Sequence, residues 1–257
     1  MPLQLEGKVI VITGSLGAAG SAATKLFTER GALVAACDIR PSAESDGFGE
    51  LQGRVGGDRL IYVQADMTKE DQVQALMDKV DQAFGRLDGS YHTTYVNRSR
   101  TVAEQTLADW EDSIKGTLTS TFLVCKHAAE LMIRSGGGSI VNVSSVLGTY
   151  PKTGNSAYGA GKAGVEQLTR YLAVEYAKQG IRANAVVPGD FKSEQVLEHM
   201  SEQHLSWIRS CSTVGRSGRP NEINEVAAFL LSDAASYVTG SLYPVTGGIW
   251  LNPDSNE

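Results

Sequence analysis

The stretch KVIVITGSLGAAG, from Lys8 to Gly20, carries the signal that determines the fold. Its first part, Lys8–Thr13, is a run of apolar and β-branched residues, which is typical of a strand covered on both faces. Its second part is rich in small residues and leads into a helical pattern at Ala18–Arg30. Small residues let the backbone approach a pyrophosphate at a helix N-terminus, where free N–H groups favour an anion. The stretch therefore predicts a strand, a phosphate-binding turn and a helix.

Short apolar runs and longer helical patterns alternate along the rest of the chain. Further strands are predicted at Ala32–Asp38, Arg59–Ala65, Leu87–His92, Ser139–Ser144, Ile181–Val187 and Leu242–Val245. Further helices are predicted at Lys69–Phe84, Ala103–Ser135, Ala157–Gln179 and Glu222–Ser232. Such alternation is what right-handed crossovers between parallel strands require. We expect an α/β fold: a single doubly wound Rossmann-type domain over residues 1–257, with a seven-stranded, mostly parallel sheet and helices on both faces.

Two segments of the chain have no regular pattern. Residues 190–220 follow the sixth predicted strand, where open α/β sheets place ligand crevices, and we predict a substrate lid there. Residues 253–257 are expected to form a flexible tail.

The composition narrows the class of partner. A formal net charge of −6 gives no general attraction to nucleic acid or to an anionic membrane surface. No apolar run approaches the roughly 18 residues that span a bilayer, and the N-terminus has no leader-like pattern. Cys37, Cys125 and Cys211 are odd in number and scattered, which favours reduced thiols in a reducing compartment. The histidines lack ligand spacing, so no metal site is expected. These features predict a cytoplasmic protein that acts on a small molecule.

Asp38 ends the second predicted strand. A carboxylate at this point can accept hydrogen bonds from the adenosine ribose hydroxyls and repels a 2′-phosphate, which favours NAD over NADP. Arg40, two residues later, could instead pair with such a phosphate or simply face solvent.

Tyr158 and Lys162 lie four residues apart in a predicted helix, and therefore on one helix face. A nearby ammonium stabilises a phenolate and lowers the phenol pKa from about 10, which makes tyrosine usable as a general acid or base. Such a pair also occurs on ordinary amphipathic helices. Ser145 favours the catalytic interpretation over that of an ordinary helix. It follows a predicted strand and can hydrogen-bond a substrate oxygen while Tyr158 exchanges its proton.

These motifs together resemble the short-chain dehydrogenase/reductase family over nearly the whole chain. The resemblance rests on the glycine turn, Asp38, Asp66, Met67, Ser145, Tyr158, Lys162 and the run Asn184–Gly189. It implies an NAD(H)-dependent oxidoreductase that interconverts a secondary alcohol and a ketone, assembled as a homotetramer or dimer. It also implies catalytic roles for Ser145, Tyr158 and Lys162. The residues that it places against the cofactor are Gly14, Leu16, Ala19, Gly20, Asp38, Asp66, Met67, Tyr158, Lys162, Pro188, Gly189, Phe191 and Ser193.

Three departures from the family pattern stand out. Ala18 replaces the middle glycine of the turn, and His92–Tyr95 replaces Asn-Asn-Ala-Gly after the fourth strand. Thr117 aligns with a helical asparagine that holds a proton-relay water in the family, and its hydroxyl is able to bond back to its own helix. His92 could donate to a ligand or be satisfied locally. Two hypotheses follow: a specialised enzyme, or a weakened protein of the same fold that binds cofactor or a partner without turnover.

Overall fold

Seven parallel strands hydrogen-bond into one sheet within residues 4–44, 47–249 and 251, which are the residues that the computed structural model describes. The strands are β1 Val9–Thr13, β2 Leu33–Asp38, β3 Leu60–Gln64, β4 Gly89–His92, β5 Gly138–Val143, β6 Ile181–Pro188 and β7 Leu242–Val245. Their spatial order is β3-β2-β1-β4-β5-β6-β7. The order reverses between β1 and β4, so a crevice opens there at the carboxyl ends of the strands. The predicted doubly wound fold is confirmed, and every strand pair is parallel.

Helices cover both faces of the sheet. Those in the described residues are α1 Ala18–Glu29, α2 Phe48–Val55, α3 Glu70–Phe84, α4 Leu107–Ile114, α5 Ser120–Arg134, α6 Ser156–Tyr176, α7 Glu194–Glu198, α8 Glu202–Cys211 and α9 Pro220–Leu231. One apolar core joins the sheet to α3, α5 and α6, and a second joins it to α1, α2 and α9. No helix in the described ranges is long and apolar enough to cross a membrane.

The predicted element bounds need four corrections. The helix predicted from Ala103 begins at Leu107, because Thr106 and Asp109 form a capping box, and a π-helical turn at Lys115–Thr119 separates α4 from α5. Strand β4 begins at Gly89, since the Asp88 carboxylate accepts the Val9 N–H beside it.

The other two corrections concern helices that the sequence pattern did not reveal. Helix α2 contains two glycines, which lower helix propensity, yet it forms because Phe48 and Leu51 are buried against the sheet. Within residues 190–220, Ser193 and Ser201 cap α7 and α8, so this segment is largely helical. The predicted tail at 253–257 lies outside the described residues.

A buried polar chain attaches the start of α1 to the sheet. The Tyr91 hydroxyl donates to Asn224 Oδ1 at 3.0 Å, and Asn224 Nδ2 donates to the Ala19 carbonyl at 3.0 Å. Tyr91 and Asn224 are both fully buried. Because α1 carries the glycine turn, this chain fixes the turn against β4 and α9.

We expect Tyr91→Phe to lower the free energy of unfolding by about 1–3 kcal/mol, because Asn224 Oδ1 would remain buried without its donor. Urea titration of the wild type and the variant, with an unchanged m-value, measures this cost. Tyr237→Phe is the matched control, since Tyr237 is fully exposed. A cost no larger than that of the control would contradict the assigned role of this hydrogen bond.

Candidate active site

The glycine turn closes tightly on itself at the carboxyl end of β1. Gly14 has φ +73°, and a Cβ there would lie 2.6 Å from Thr93 Oγ1. A Cβ at Gly20 would lie 2.1 Å from the Gly14 carbonyl oxygen, so this position of α1 accepts only glycine. The N-cap residue Gly17 supplies no side-chain hydrogen bond to the first turn of α1. Backbone N–H groups at this helix N-terminus therefore suit an anion. The methyl group of Ala18, the departure from the family turn, is exposed on the cavity surface.

The Asp38 carboxylate is buried at the end of β2 and is connected to the turn. Its Oδ2 atom accepts the Leu16 N–H at 3.0 Å, and its Oδ1 atom accepts the Arg40 N–H at 3.1 Å. The Arg40 guanidinium lies 3.2 Å from the same carboxylate, and this hydrogen bond raises the Arg40 pKa. Arg40 therefore pairs with Asp38, an interaction that the sequence did not predict, since it left Arg40 between a cofactor phosphate and solvent.

A cavity of about 600 Å³ runs along the carboxyl edge of the sheet. This volume is within the range of small-molecule and cofactor sites. The residues of the predicted site that line it are Gly14, Ala19, Asp38, Asp66, Met67, Ser145, Tyr158, Lys162, Pro188, Gly189 and Phe191. Leu16 and Ser193 line a neighbouring groove instead, and Gly20 packs inside the turn.

Several lining residues were not predicted as site residues. They include Gly17, Thr93, Thr94, Tyr95, Ser120 and Lys192. Thr93 to Tyr95 directly follow β4, the strand next to β1 at the point where the order reverses. The rule that ligands gather at the carboxyl ends of the strands on either side of this point would have found them.

Lys162 is buried at the end of the cavity opposite Asp38. Its ammonium donates to the Val143 carbonyl at 2.7 Å, and its side chain is 1% exposed. Burial lowers the pKa of Lys162 to about 7. Burial also raises the pKa of Tyr158 to about 12, while the Ser145 side chain opposes this shift. The phenol therefore keeps its proton at neutral pH unless positive charge is brought close to it.

The Ser145 hydroxyl faces the same end of the cavity. Its oxygen accepts the Leu147 N–H at 3.2 Å and caps the short turn Val146–Gly148. This bond uses a lone pair of the hydroxyl and fixes its position. The hydroxyl proton is not used by this bond, and the Ser145 side chain also hydrogen-bonds Tyr158.

The residues that depart from the family motifs are held by local hydrogen bonds. His92 Nδ1 lies 2.7 Å from Thr13 Oγ1, and its Nε2 lies 3.0 Å from Thr94 Oγ1. Burial, together with the charge of Lys162, lowers the pKa of His92 to about 3, so His92 is neutral. Thr117 does not bond back to its own helix: its Oγ1 donates to the Val96 carbonyl at 3.1 Å and accepts the Val96 N–H at 3.3 Å.

The beginning and the end of the segment 190–220 contact each other beside the cavity. Phe191 pairs with Gly218, and the Ser217 hydroxyl donates to Asp190 Oδ2 at 2.6 Å. Further out, the Lys152 ammonium lies 4.4 Å from the centroid of the Trp207 ring on α8. Of this segment, Asp190, Phe191 and Lys192 line the cavity. The start of α7 lines the neighbouring groove, and Trp207 of α8 lines a separate one, so the lid stays a prediction.

This combination of fold and cavity defines a class of protein. A glycine turn and a strand-end acid line the cavity together with a hydroxyl, a phenol and an ammonium. Such a protein is an α/β oxidoreductase built for a dinucleotide.

The family follows from the relatives of the chain. A family model described as enoyl-(acyl carrier protein) reductase matches residues 17–250. The chain is 39% identical to cis-4-hydroxycyclohexanecarboxylate dehydrogenase of Sinomonas cyclohexanicum, over 94% of this chain and 96% of the relative. It is 36% identical to a 3-oxoacyl-(acyl-carrier-protein) reductase of Thermotoga maritima, over 96% and 99%. A short-chain type dehydrogenase/reductase from Mycobacterium ulcerans has a TM-score of 0.89 at 28% identity, over 97% and 92%. The chain belongs to the short-chain dehydrogenase/reductase family, whose members use a nicotinamide cofactor.

We expect the buried Lys162 to make stability rise with pH between about pH 7 and pH 10. In this window the unfolded lysine, with a pKa of about 10.4, binds more protons than the folded one, whose pKa is about 7. The free energy of unfolding of the wild type should therefore rise relative to Lys162→Met, by at most about 1.4 kcal/mol per pH unit. Urea titrations at several pH values measure the difference, with the exposed Lys178→Met as control. Parallel curves for the wild type and Lys162→Met would refute the depressed pKa.

Proposed function

We propose that this protein interconverts a secondary alcohol and the corresponding ketone with NAD(H), and that Tyr158 is the general acid/base. The observation that carries the proposal is that Ser145, Tyr158 and Lys162 line the same cavity as the glycine turn and Asp38. One end of the cavity suits a dinucleotide and the other end suits proton exchange with a hydroxyl group.

The residues of the cavity fit NAD. The N-terminus of α1, with its glycine N-cap, would hold the pyrophosphate, and the buried carboxylate of Asp38 would accept the adenosine ribose hydroxyls. Asp66 and Met67 line the part of the cavity next to Asp38, where the adenine would lie. Pro188 and Gly189 line the part next to Tyr158 and would border the nicotinamide. A bound nicotinamide would supply the acceptor for the hydride of the alcohol carbon, or its donor in the reverse direction.

The side chains at the other end handle the proton. In alcohol oxidation, Ser145 donates a hydrogen bond to the substrate oxygen, and Tyr158 takes the hydroxyl proton as the carbon gives up its hydride. The products are the ketone, the reduced cofactor and the proton on Tyr158. The Ser145 hydrogen bond counters the effect of burial on the Tyr158 pKa. Positive charge on Lys162 would favour the phenolate further. Ketone reduction uses the same atoms in reverse.

The relatives support a substrate with a CH–OH group. The Sinomonas relative is a dehydrogenase of a hydroxycyclohexane carboxylate, and the Thermotoga relative reduces a 3-oxoacyl group on a carrier protein. Ring alcohols and 3-hydroxyacyl thioesters are therefore the two substrate types to test first. Residues 190–220 would act as the lid over whichever substrate binds.

We also infer a homo-oligomer, a dimer or tetramer, built on α4 to α6. Apolar side chains on these helices are exposed: Leu107, Trp110, Phe122, Ile133, Tyr171 and Val174. An exposed apolar surface of this kind is typical of a subunit interface. The buried free thiols Cys37, Cys125 and Cys211 support a cytoplasmic location.

One observation favours the alternative of binding without turnover. The Val96 backbone uses the proton and one lone pair of the Thr117 hydroxyl, so this side chain has no free donor for a relay water of the kind that the family asparagine holds. A protein of this second type would bind NAD and reduce none of it with any alcohol.

Tyr158→Phe is expected to lower kcat at least about 1,000-fold, because the variant has no proton to exchange, while NAD binding stays within a few-fold of wild type. Absorbance of the reduced nicotinamide, followed over a panel of ring alcohols and 3-hydroxyacyl thioesters, measures kcat. Quenching of tryptophan fluorescence measures NAD binding. Tyr237→Phe, at a fully exposed tyrosine, is the control. Turnover by Tyr158→Phe would remove the tyrosine from the mechanism, and no turnover by the wild type would favour binding alone.

The wild type is expected to prefer NAD, and Asp38→Ser should shift the ratio of kcat/KM for NAD over NADP by about 100-fold or more toward NADP. The change removes a like charge from the 2′-phosphate, a contact that costs several kcal/mol, and releases Arg40 to bind it. Steady-state kinetics with both cofactors measure the ratio, with the exposed Asp58→Ser as control. An unmoved ratio would show that Asp38 does not select the cofactor.

A further inference from the structure

Tyr95 brings a second aromatic ring to the reacting end of the cavity. Its ring meets the Tyr158 ring edge to face, with centroids 5.4 Å apart and an interplanar angle of 63°. The Lys162 ammonium lies 5.6 Å from the centroid of the Tyr95 ring and 5.6 Å from that of Tyr158. Both distances are within the range of cation–π contacts. The buried ammonium therefore lies against two aromatic rings that also contact each other.

The backbone next to Tyr95 is fixed by the π-helical turn between α4 and α5. Thr117 exchanges two hydrogen bonds with Val96, the residue after Tyr95. A Cβ at Gly116 would lie 2.3 Å from Val96 Cγ2, so the Val96 side chain occupies the space that a larger residue would need. A Cβ at Gly161 would lie 3.1 Å from Thr117 Cγ2, which shows that α6 packs closely on Thr117. Thr117 thus connects the Tyr95 loop to the helix of Tyr158 and Lys162.

The same loop is also fastened to the start of α6. Asn97 Nδ2 donates to Asn155 Oδ1 at 2.8 Å, and the Arg100 N–H donates to the Gly154 carbonyl at 3.1 Å. Asn155 directly precedes α6, three residues before Tyr158. Tyr95 is therefore held relative to Tyr158 from both sides of its loop.

We infer that Tyr95, seated by Thr117 through Val96, is a positioning residue that holds the Tyr158 phenol and the Lys162 ammonium in their working arrangement. This inference rests on the proposed function. The edge contact limits rotation of the Tyr158 ring, and the face of the Tyr95 ring stabilises the charged form of a lysine that burial would otherwise neutralise. His92, the last residue of β4, is neutral because burial and the charge of Lys162 lower its pKa, so it does not stabilise the ammonium. Thr117 then affects the reaction indirectly, because it holds Val96 and thereby the neighbouring Tyr95 in place.

Replacement of the Tyr95 ring tests the inference. Tyr95→Leu should lower kcat about tenfold, a loss between those of exposed and desolvated cation–π contacts, because the cation is buried but the ring is 58% exposed. KM for NAD should stay within about twofold of wild type. Tyr95→Phe keeps the ring and should restore kcat to within about twofold of wild type. Rescue by Tyr95→Phe distinguishes this role from a general loss of folded protein, which phenylalanine would not be expected to reverse. Tyr237→Leu, at a fully exposed position, is the matched control.

The coupling to Thr117 is tested in the same assay. Thr117→Val removes the two hydrogen bonds to Val96 but keeps the branched shape, so it should lower kcat. In the Tyr95→Leu background the same change should add little, because the ring that it positions is gone. Three results would overturn the inference. Tyr95→Leu could keep the wild-type kcat, or Tyr95→Phe could lose as much kcat as Tyr95→Leu. Thr117→Val could also lower kcat equally in the wild-type and Tyr95→Leu backgrounds.

A double-mutant cycle tests the contact without any substrate. Urea unfolding of the wild type, Tyr95→Leu, Lys162→Met and the double variant should be non-additive by about threefold or more in the unfolding equilibrium constant. An additive cycle would overturn the inference even in an active enzyme. A coupled cycle in a protein that oxidises no alcohol would support the positioning contact and refute the proposed function.

Discussion

The burial of one ammonium group is the constraint on which the arrangement of the cavity depends. Lys162 is 1% exposed, and removal of a charged amine from water is costly unless its surroundings compensate. The last residue of β5 supplies its carbonyl to the ammonium, and two aromatic rings approach it from α6 and from the loop after β4. A strand end, a helix and a loop must therefore meet at one point. The doubly wound sheet makes this possible, because the carboxyl ends of its parallel strands share an edge.

The opposite end of the cavity is organised by a single carboxylate. Asp38 accepts the N–H of Leu16 within the glycine turn, so the group that would recognise the ribose also helps to shape the turn that would bind the pyrophosphate. The Tyr91–Asn224 chain fixes the following residues of α1 to the sheet. The groups that would recognise the ribose and the pyrophosphate of a dinucleotide are thus held by hydrogen bonds to neighbouring residues of one turn and helix start.

The sequence predicts what depends on local pattern and spacing. The seven strands, the alternation with helices and the convergence of Ser145, Tyr158 and Lys162 follow from short-range signals and from the parallel topology. Helices α2, α7 and α8 were missed because their stability depends on caps and on burial of a few apolar residues. The partner of Thr117 could not be predicted, since Val96 is twenty-one residues away and reaches it only through the tertiary fold. The assignments of cofactor contacts remain predictions, and two of them, Leu16 and Ser193, lie in the neighbouring groove.

The two hydrogen bonds between Thr117 and Val96 have a consequence for how the sequence of this protein can change in evolution. They require a small hydroxyl residue in the π-helical turn, while Gly116 leaves room for the valine side chain. Because the Val96 side chain fills the space beside Gly116, a change at position 96 would alter which residues position 116 tolerates, which is epistasis between positions twenty residues apart. Replacements in the loop after β4 and in the π-helical turn Lys115–Thr119 would therefore be expected to occur together. A chimaera that takes only one of these two segments from a relative would combine a loop and a turn that do not fit each other.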